Sequence, residues 1–234
     1  MKKYLRLCLV LVFSFIEIHL IFGFGKKPLF NFSFFSSSFI NAQINLQLST
    51  ILLSLSMVLF LFIIARKTKL KYLNINHLKG KMAPVKWLGI PEGSTWTQTG
   101  ITIGAMISLG TALVVYFQVN SQSLTFRLFP DVPLVLILAL MNSFTEEIVF
   151  RYSYVTIVDN EGFSPKLALF LGSAVFGTVH YFGMAPKGLM GALMAAFLGW
   201  FLTKSILETK GFFWAWFIHF LQDVVILMLF FSAL

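Results

Sequence analysis

The chain has 234 residues, 58% hydrophobic and only 12% charged, with 28 Phe and a mean hydropathy of +0.84. A soluble domain carries about 25% charged residues, which excludes an aqueous globular fold and points to an integral membrane protein. The formal charge of +9 does not indicate nucleic acid, because the basic residues cluster beside apolar runs, and the single Cys8 allows neither an internal disulfide nor a Cys-x-x-Cys metal site.

Seven windows are long enough to cross a hydrocarbon layer, which takes roughly 17–25 residues. In chain order they cover 4–24, 46–65, 99–117, 132–157, 165–182, 188–207 and 212–233. The expected fold is therefore all-α, a polytopic transmembrane bundle of about seven spans in the cell membrane. Glu17 and His19 interrupt the first window and no small-x-small cleavage site closes it, so an uncleaved anchor is expected. Next comes PLFNFSFFSSSFINAQ (28–43), whose aromatic and Ser-rich composition suits an interfacial loop. Arg66 to Lys86 holds seven Lys/Arg and no acid, as a cytoplasmic loop does. Trp87 to Pro91 returns the chain to the bilayer, and Ser94 or Thr95 is placed to cap the following helix.

With the N-terminus inside, the inner segments hold Lys2, Lys3, Arg6, the seven of the long loop, Lys166, Lys204 and Lys210. The outer ones hold only Lys26, Lys27, Arg127 and Lys187, and thirteen against four predicts N-in, C-out. No internal repeat appears. Residues 1–98 form the N-terminal spans and basic loop, and 99–234 the remaining membrane core.

Ionisable residues inside the spans are costly and mark functional sites by default. At 1.5 Å per residue from the inner ends, Glu146 and Asp223 lie about 16 Å deep, His180 about 22 Å and His219 about 10 Å. The hydrocarbon core is about 30 Å thick, so three helices bring carboxylates and imidazoles near one depth. Glu147 and Arg151, four apart with the acid first, form a self-neutralising structural pair. Glu146 is turned about 100° from that face and stays available for chemistry, with Asn142 one turn earlier near enough to hydrogen-bond. His219 and Asp223 are also four apart, so that an Asp taking one ring proton would fix the tautomer of the imidazole. Taken singly, His180 reads as an interhelical hydrogen bond and Asp223 as the lining of a water pocket; it is their common depth that favours a site. Glu17, His19 and His77 join no constellation. In the sixth window Gly191, Ala195 and Gly199 recur every four residues, as do Gly188, Ala192 and Ala196, which lets that helix pack closely behind its neighbours.

Glu146-Glu147-Ile-Val-Phe-Arg151, Phe176-Gly-Thr-Val-His180 and His219-Phe-Leu-Gln-Asp223 match, in order, the motifs Glu-Glu-x-x-x-Arg, Phe-x-x-x-His and His-x-x-x-Asn/Asp. Residues 130–230 thereby resemble the CPBP family (CAAX protease and bacteriocin-processing, or Abi) of intramembrane proteases. The resemblance implies an endopeptidase acting on a membrane-bound peptide or protein, with the bilayer as its other partner. It implies that Glu146 activates a water with help from His180, and that His219 and residue 223 polarise the scissile carbonyl. Glu147 and Arg151 are implied to support the site. The prenyl-protein proteases of the family carry Asn where this chain has Asp223, and an ionised carboxylate cannot donate to an oxyanion. Glu146, His180, His219 and Asp223 also make an acceptable zinc ligand set, and the family has been described both as metalloproteases and as glutamate proteases. A non-catalytic bacteriocin-immunity or scaffold role in the same family is the alternative. An ion pathway ranks below both, because no inverted repeat or pair of broken helices supports it.

Overall fold

A chain inside lipid must satisfy its backbone N–H and C=O groups within itself, and the apolar runs do so as helices. The computed structural model describes residues 2–66, 68, 70–120, 131–183 and 186–232. The helices are α1 (Lys2–Lys26), α2 (Ser38–Ile64), α3 (Trp96–Asn120), α4 (Val132–Glu147), α5 (Ser153–Asn160), α6 (Pro165–Tyr181), α7 (Gly188–Thr209) and α8 (Phe213–Ser232). A π-helical turn, Ile148–Tyr152, joins α4 to α5, so that the two run on as one span, Val132–Asn160. Among the described residues six spans are long and apolar enough to cross a bilayer; α6, at 17 residues, is shorter. The protein is an all-helical, multi-pass membrane protein.

Local chemistry sets the helix ends. Ser37 accepts from Ile40 N at 3.3 Å, so α2 begins inside the stretch expected to be an interfacial loop. Residues 29–35 instead lie extended along α2, whose Ser49, Asn45 and Asn41 hydrogen-bond the backbone N–H groups of Leu29, Phe32 and Phe34. Thr95 caps α3, with Gln98 N at 3.4 Å from its hydroxyl. Asp131 caps α4 through Leu134 N at 3.2 Å, and Ser164 followed by Pro165 opens α6.

The basic loop docks on the corner between α7 and α8. Trp96 Nε1 donates to Glu208 Oε2 at 2.9 Å, Trp214 Nε1 to Leu78 O at 2.8 Å, and Phe212 N to Asn74 O at 2.9 Å. Lys204 pairs with Glu208 on the same helix, and His77 Nδ1 lies 3.1 Å from the carbonyls of Thr209 and Lys210. Tyr72 is fully enclosed, and burial pushes its hydroxyl up to about 12, so the ring stays neutral. Trp87, 69% exposed beside Phe197 and Trp200, suits an interfacial aromatic belt. Lys67, Lys69 and Arg127, which enter the charge count, lie outside the described residues.

The closest helix approach is between α6 and α7. A Cβ built on Gly199 would meet Gly172 O at 2.2 Å, and one on Gly177 would meet Ala196 Cβ at 2.8 Å. Ser173 Oγ donates across the seam to Ala196 O at 2.8 Å. Small residues thus let two backbones touch. α7 also packs on α8, while α8 lies against α3 and α4, and α4 against α2. This arrangement brings α1, α2, α3, α4, α6, α7 and α8 around one interior space.

Candidate active site

The interior space is a cavity of about 270 Å³. Glu146, Asn142, His180, His219 and Asp223 line it, with Phe176 behind them and Gln47 and Gln222 beside them. The rest of the wall is mainly apolar, from Ile18, Phe22, Leu46, Ile107, Ile226 and others. Three separate helices therefore deliver carboxylates and imidazoles to one wall of a single void.

The two adjacent glutamates have different surroundings. The Glu147 side chain is fully buried, while that of Glu146 is 18% exposed and faces the cavity. Arg151 Nη1 lies 3.0 Å from Glu147 Oε1, off the line of a good hydrogen bond, and the guanidinium carbon sits 3.6 Å from the centroid of the Phe176 ring. A delocalised cation over an aromatic face is favourable where water is excluded. Phe176 also meets the His180 ring at 4.0 Å and the His219 ring at 5.6 Å, so it buttresses both imidazoles and Arg151.

Each imidazole is oriented through Nδ1. His180 Nδ1 donates to the Phe176 carbonyl one turn back at 2.9 Å, which leaves its Nε2 for the cavity. His219 Nδ1 donates to Glu147 Oε1 at 2.7 Å, and its Nε2 faces Glu146 Oε2 at 3.5 Å and Asp223 Oδ1 at 3.7 Å. This corrects the expectation that Asp223 fixes the His219 tautomer: Glu147 does so from α4. At i,i+4 on α8, Asp223 reaches only the other ring nitrogen, beyond hydrogen-bond distance. The Glu147–Arg151 pair is consequently not closed on itself.

Sequence spacing placed Asn142 beside Glu146 but did not find its other partners or the glutamines. Asn142 Nδ2 donates to Glu146 Oε1 at 3.2 Å and to Asp223 Oδ2 at 3.1 Å, bridging carboxylates of α4 and α8. Gln47 Nε2 donates to Asn142 Oδ1 at 3.0 Å from α2. Gln222 accepts from Thr111 Oγ1 and donates to Ser108 Oγ, both at 2.8 Å, tying α8 to α3. A signal existed: Gln43 and Gln47 stand four apart in the N-terminal half of a hydrophobic span, as do Asn41, Asn45 and Ser49.

The fit of a metal is tested by the donors. Among the described residues, no group of three or more His, Cys, Asp or Glu side chains is arranged to hold an ion. The Asn142 amide hydrogens occupy Glu146 Oε1 and Asp223 Oδ2, and the second oxygens, Glu146 Oε2 and Asp223 Oδ1, lie 3.5 and 3.7 Å from His219 Nε2. Glu146 Oε2 is buried and accepts no hydrogen bond from the described residues. A buried acceptor with no bond made calls for an explanation, and this one faces His219 Nε2 at 3.5 Å.

The family model for type II CAAX prenyl endopeptidase Rce1-like proteins, which is the CPBP or Abi family, matches residues 128–225. The matched stretch contains all three motifs and ends just past Asp223. No curated protein and no solved structure matches the chain.

Proposed function

From the premise that residues 128–225 carry the sequence of the CPBP family, a family of CAAX-protease-type intramembrane endopeptidases, we propose that this protein hydrolyses a peptide bond of a membrane-associated peptide or protein with a water activated by Glu146. The observation that carries the reading is the convergence of Glu146, His180, His219 and Asp223 on one largely apolar cavity, with Glu146 Oε2 lacking a hydrogen-bond donor among the described residues.

Water bound at the Glu146 carboxylate gives one proton to it as its oxygen attacks the scissile carbonyl. His180 Nε2, its Nδ1–H committed to Phe176 O, accepts a hydrogen bond from the second O–H of the water, which keeps that proton, and orients the attack. His219 Nε2 faces two carboxylates, which favour an N–H there, and that N–H donates to the developing oxyanion. Glu147 steadies the same ring through Nδ1. Asp223 thus acts on the positive charge of His219 rather than on the oxyanion, which accommodates an acid where prenyl-protein proteases carry an amide. Collapse of the tetrahedral intermediate breaks the C–N bond, and Glu146 returns its proton to the leaving amine. Exclusion of water by the apolar wall strengthens each of these interactions.

The test uses purified protein in detergent with a pool of internally quenched apolar peptides. Glu146→Gln lowers turnover by at least about 10²-fold, the scale of a lost general base, and His180→Ala also lowers it. A strong chelator leaves wild-type turnover unchanged. Undiminished cleavage by Glu146→Gln contradicts the assigned base, and chelator inactivation reversed by zinc contradicts the metal-free mechanism.

A further inference from the structure

We infer that Gln47 of α2, outside the family-matched stretch, is a positioning residue that sets the orientation of the Asn142 amide and through it the geometry of the Glu146–Asp223 carboxylate pair. The inference rests on the peptidase reading and extends it to a helix that carries none of the three motifs.

A side-chain amide can face a neighbour with its oxygen or its NH₂ group, and the two choices have opposite consequences beside carboxylates. Asn142 has two hydrogens to give, and both go to acids: Nδ2 lies 3.2 Å from Glu146 Oε1 and 3.1 Å from Asp223 Oδ2. Rotated the other way, its oxygen would confront two carboxylate oxygens. Gln47 selects the productive face, because its NH₂ group donates to Asn142 Oδ1 at 3.0 Å and so requires an oxygen on that side. Gln47 is itself directed: Thr50 Oγ1 lies 3.3 Å from its backbone carbonyl and 3.5 Å from its Oε1. It is 3% exposed, so the polar group is buried in a span whose other residues are mostly apolar. Burying an amide there costs energy unless its bonds are made, and Asn142 is the cross-helix partner that makes one. Fixing Asn142 holds Oε1 of Glu146 and so sets the carboxylate that faces His219 Nε2 through Oε2 at 3.5 Å.

The variants are purified in detergent and assayed on the same quenched apolar peptides, with Glu146→Gln as reference. Gln47→Met keeps the volume and removes the amide; kcat falls about tenfold with KM within about twofold, because orientation is lost and binding is not. Gln47→Glu can only accept from Asn142, reverses its amide and lowers kcat further. In an Asn142→Ala background Gln47→Met costs no more than about twofold, the coupling expected when one residue acts through the other. Wild-type kcat in Gln47→Met, or an equal fractional loss in both backgrounds, overturns the inference. Should Gln47→Met fail to fold, Gln47→Glu carries the same comparison in both backgrounds. If Glu146→Gln abolishes turnover while the Gln47 variants keep it, only this inference fails; if Glu146→Gln also keeps it, the peptidase reading fails with it.

Discussion

Glu147 serves two partners with one oxygen: Oε1 lies 2.7 Å from His219 Nδ1 and 3.0 Å from Arg151 Nη1. Replacing it by Gln keeps the shape but leaves Arg151 as an uncompensated cation with no exposed surface, a change worth about 3–5 kcal/mol. Glu147→Gln should therefore lower the unfolding midpoint in detergent. Glu146→Gln should leave that midpoint near wild type, since its carboxylate borders the cavity. Equal midpoints for the two variants would contradict the division of labour between the glutamates. The Glu147–Arg151 pair was readable from its spacing, as was the separate face of Glu146. The partner of His219 was not, because helix periodicity reports neighbours on the same helix and says nothing about the face a second helix presents. For the same reason the Asn142 bridge was visible only on its Glu146 side.

On the scale of single helices, the α6–α7 seam and the π turn differ in what the sequence discloses. Small residues four apart announced close packing of α7, and the structure identifies α6 as the backbone it touches. Gly199→Ala places a Cβ 2.2 Å from Gly172 O, so the helices must separate, at a cost of about 1–3 kcal/mol. Turnover should fall with stability, because α6 carries Phe176 and His180. Gly110→Ala in α3, with nothing within 4 Å of the new methyl, is the control and should not destabilise the protein. A Gly199→Ala protein as stable and active as Gly110→Ala would remove the seam from the account. The π turn had no comparable signal: Ile148-Val-Phe-Arg-Tyr152 reads as continuing helix, and an extra residue in one turn leaves no compositional mark. It lies immediately after the glutamates and contains Arg151, so it sets how the two halves of that span face their neighbours.

The whole molecule is a bundle in which the cavity belongs to more than the three motif helices. Ile18 and Phe22 of α1, Gln47 of α2 and Ile107 of α3 line it, all from before the family-matched stretch. Composition gave the class and roughly the number of spans, because apolar length is a one-dimensional property. The enclosure of a shared void is three-dimensional, and equal depth was its only trace in the sequence. The central claim is that Glu146 faces a water-accessible pocket within the membrane while Glu147 is sealed behind it. Its most direct measurement is thiol modification in a Cys8→Ser chain, comparing Glu146→Cys with Glu147→Cys in sealed vesicles. The reagent is a cationic, membrane-impermeant methanethiosulfonate, applied to the side where α6 ends and α7 begins. The account predicts that position 146 is modified and position 147 is protected. A cysteine at 146 that stays unreactive from both sides, or reacts no faster than one at 147, would contradict it.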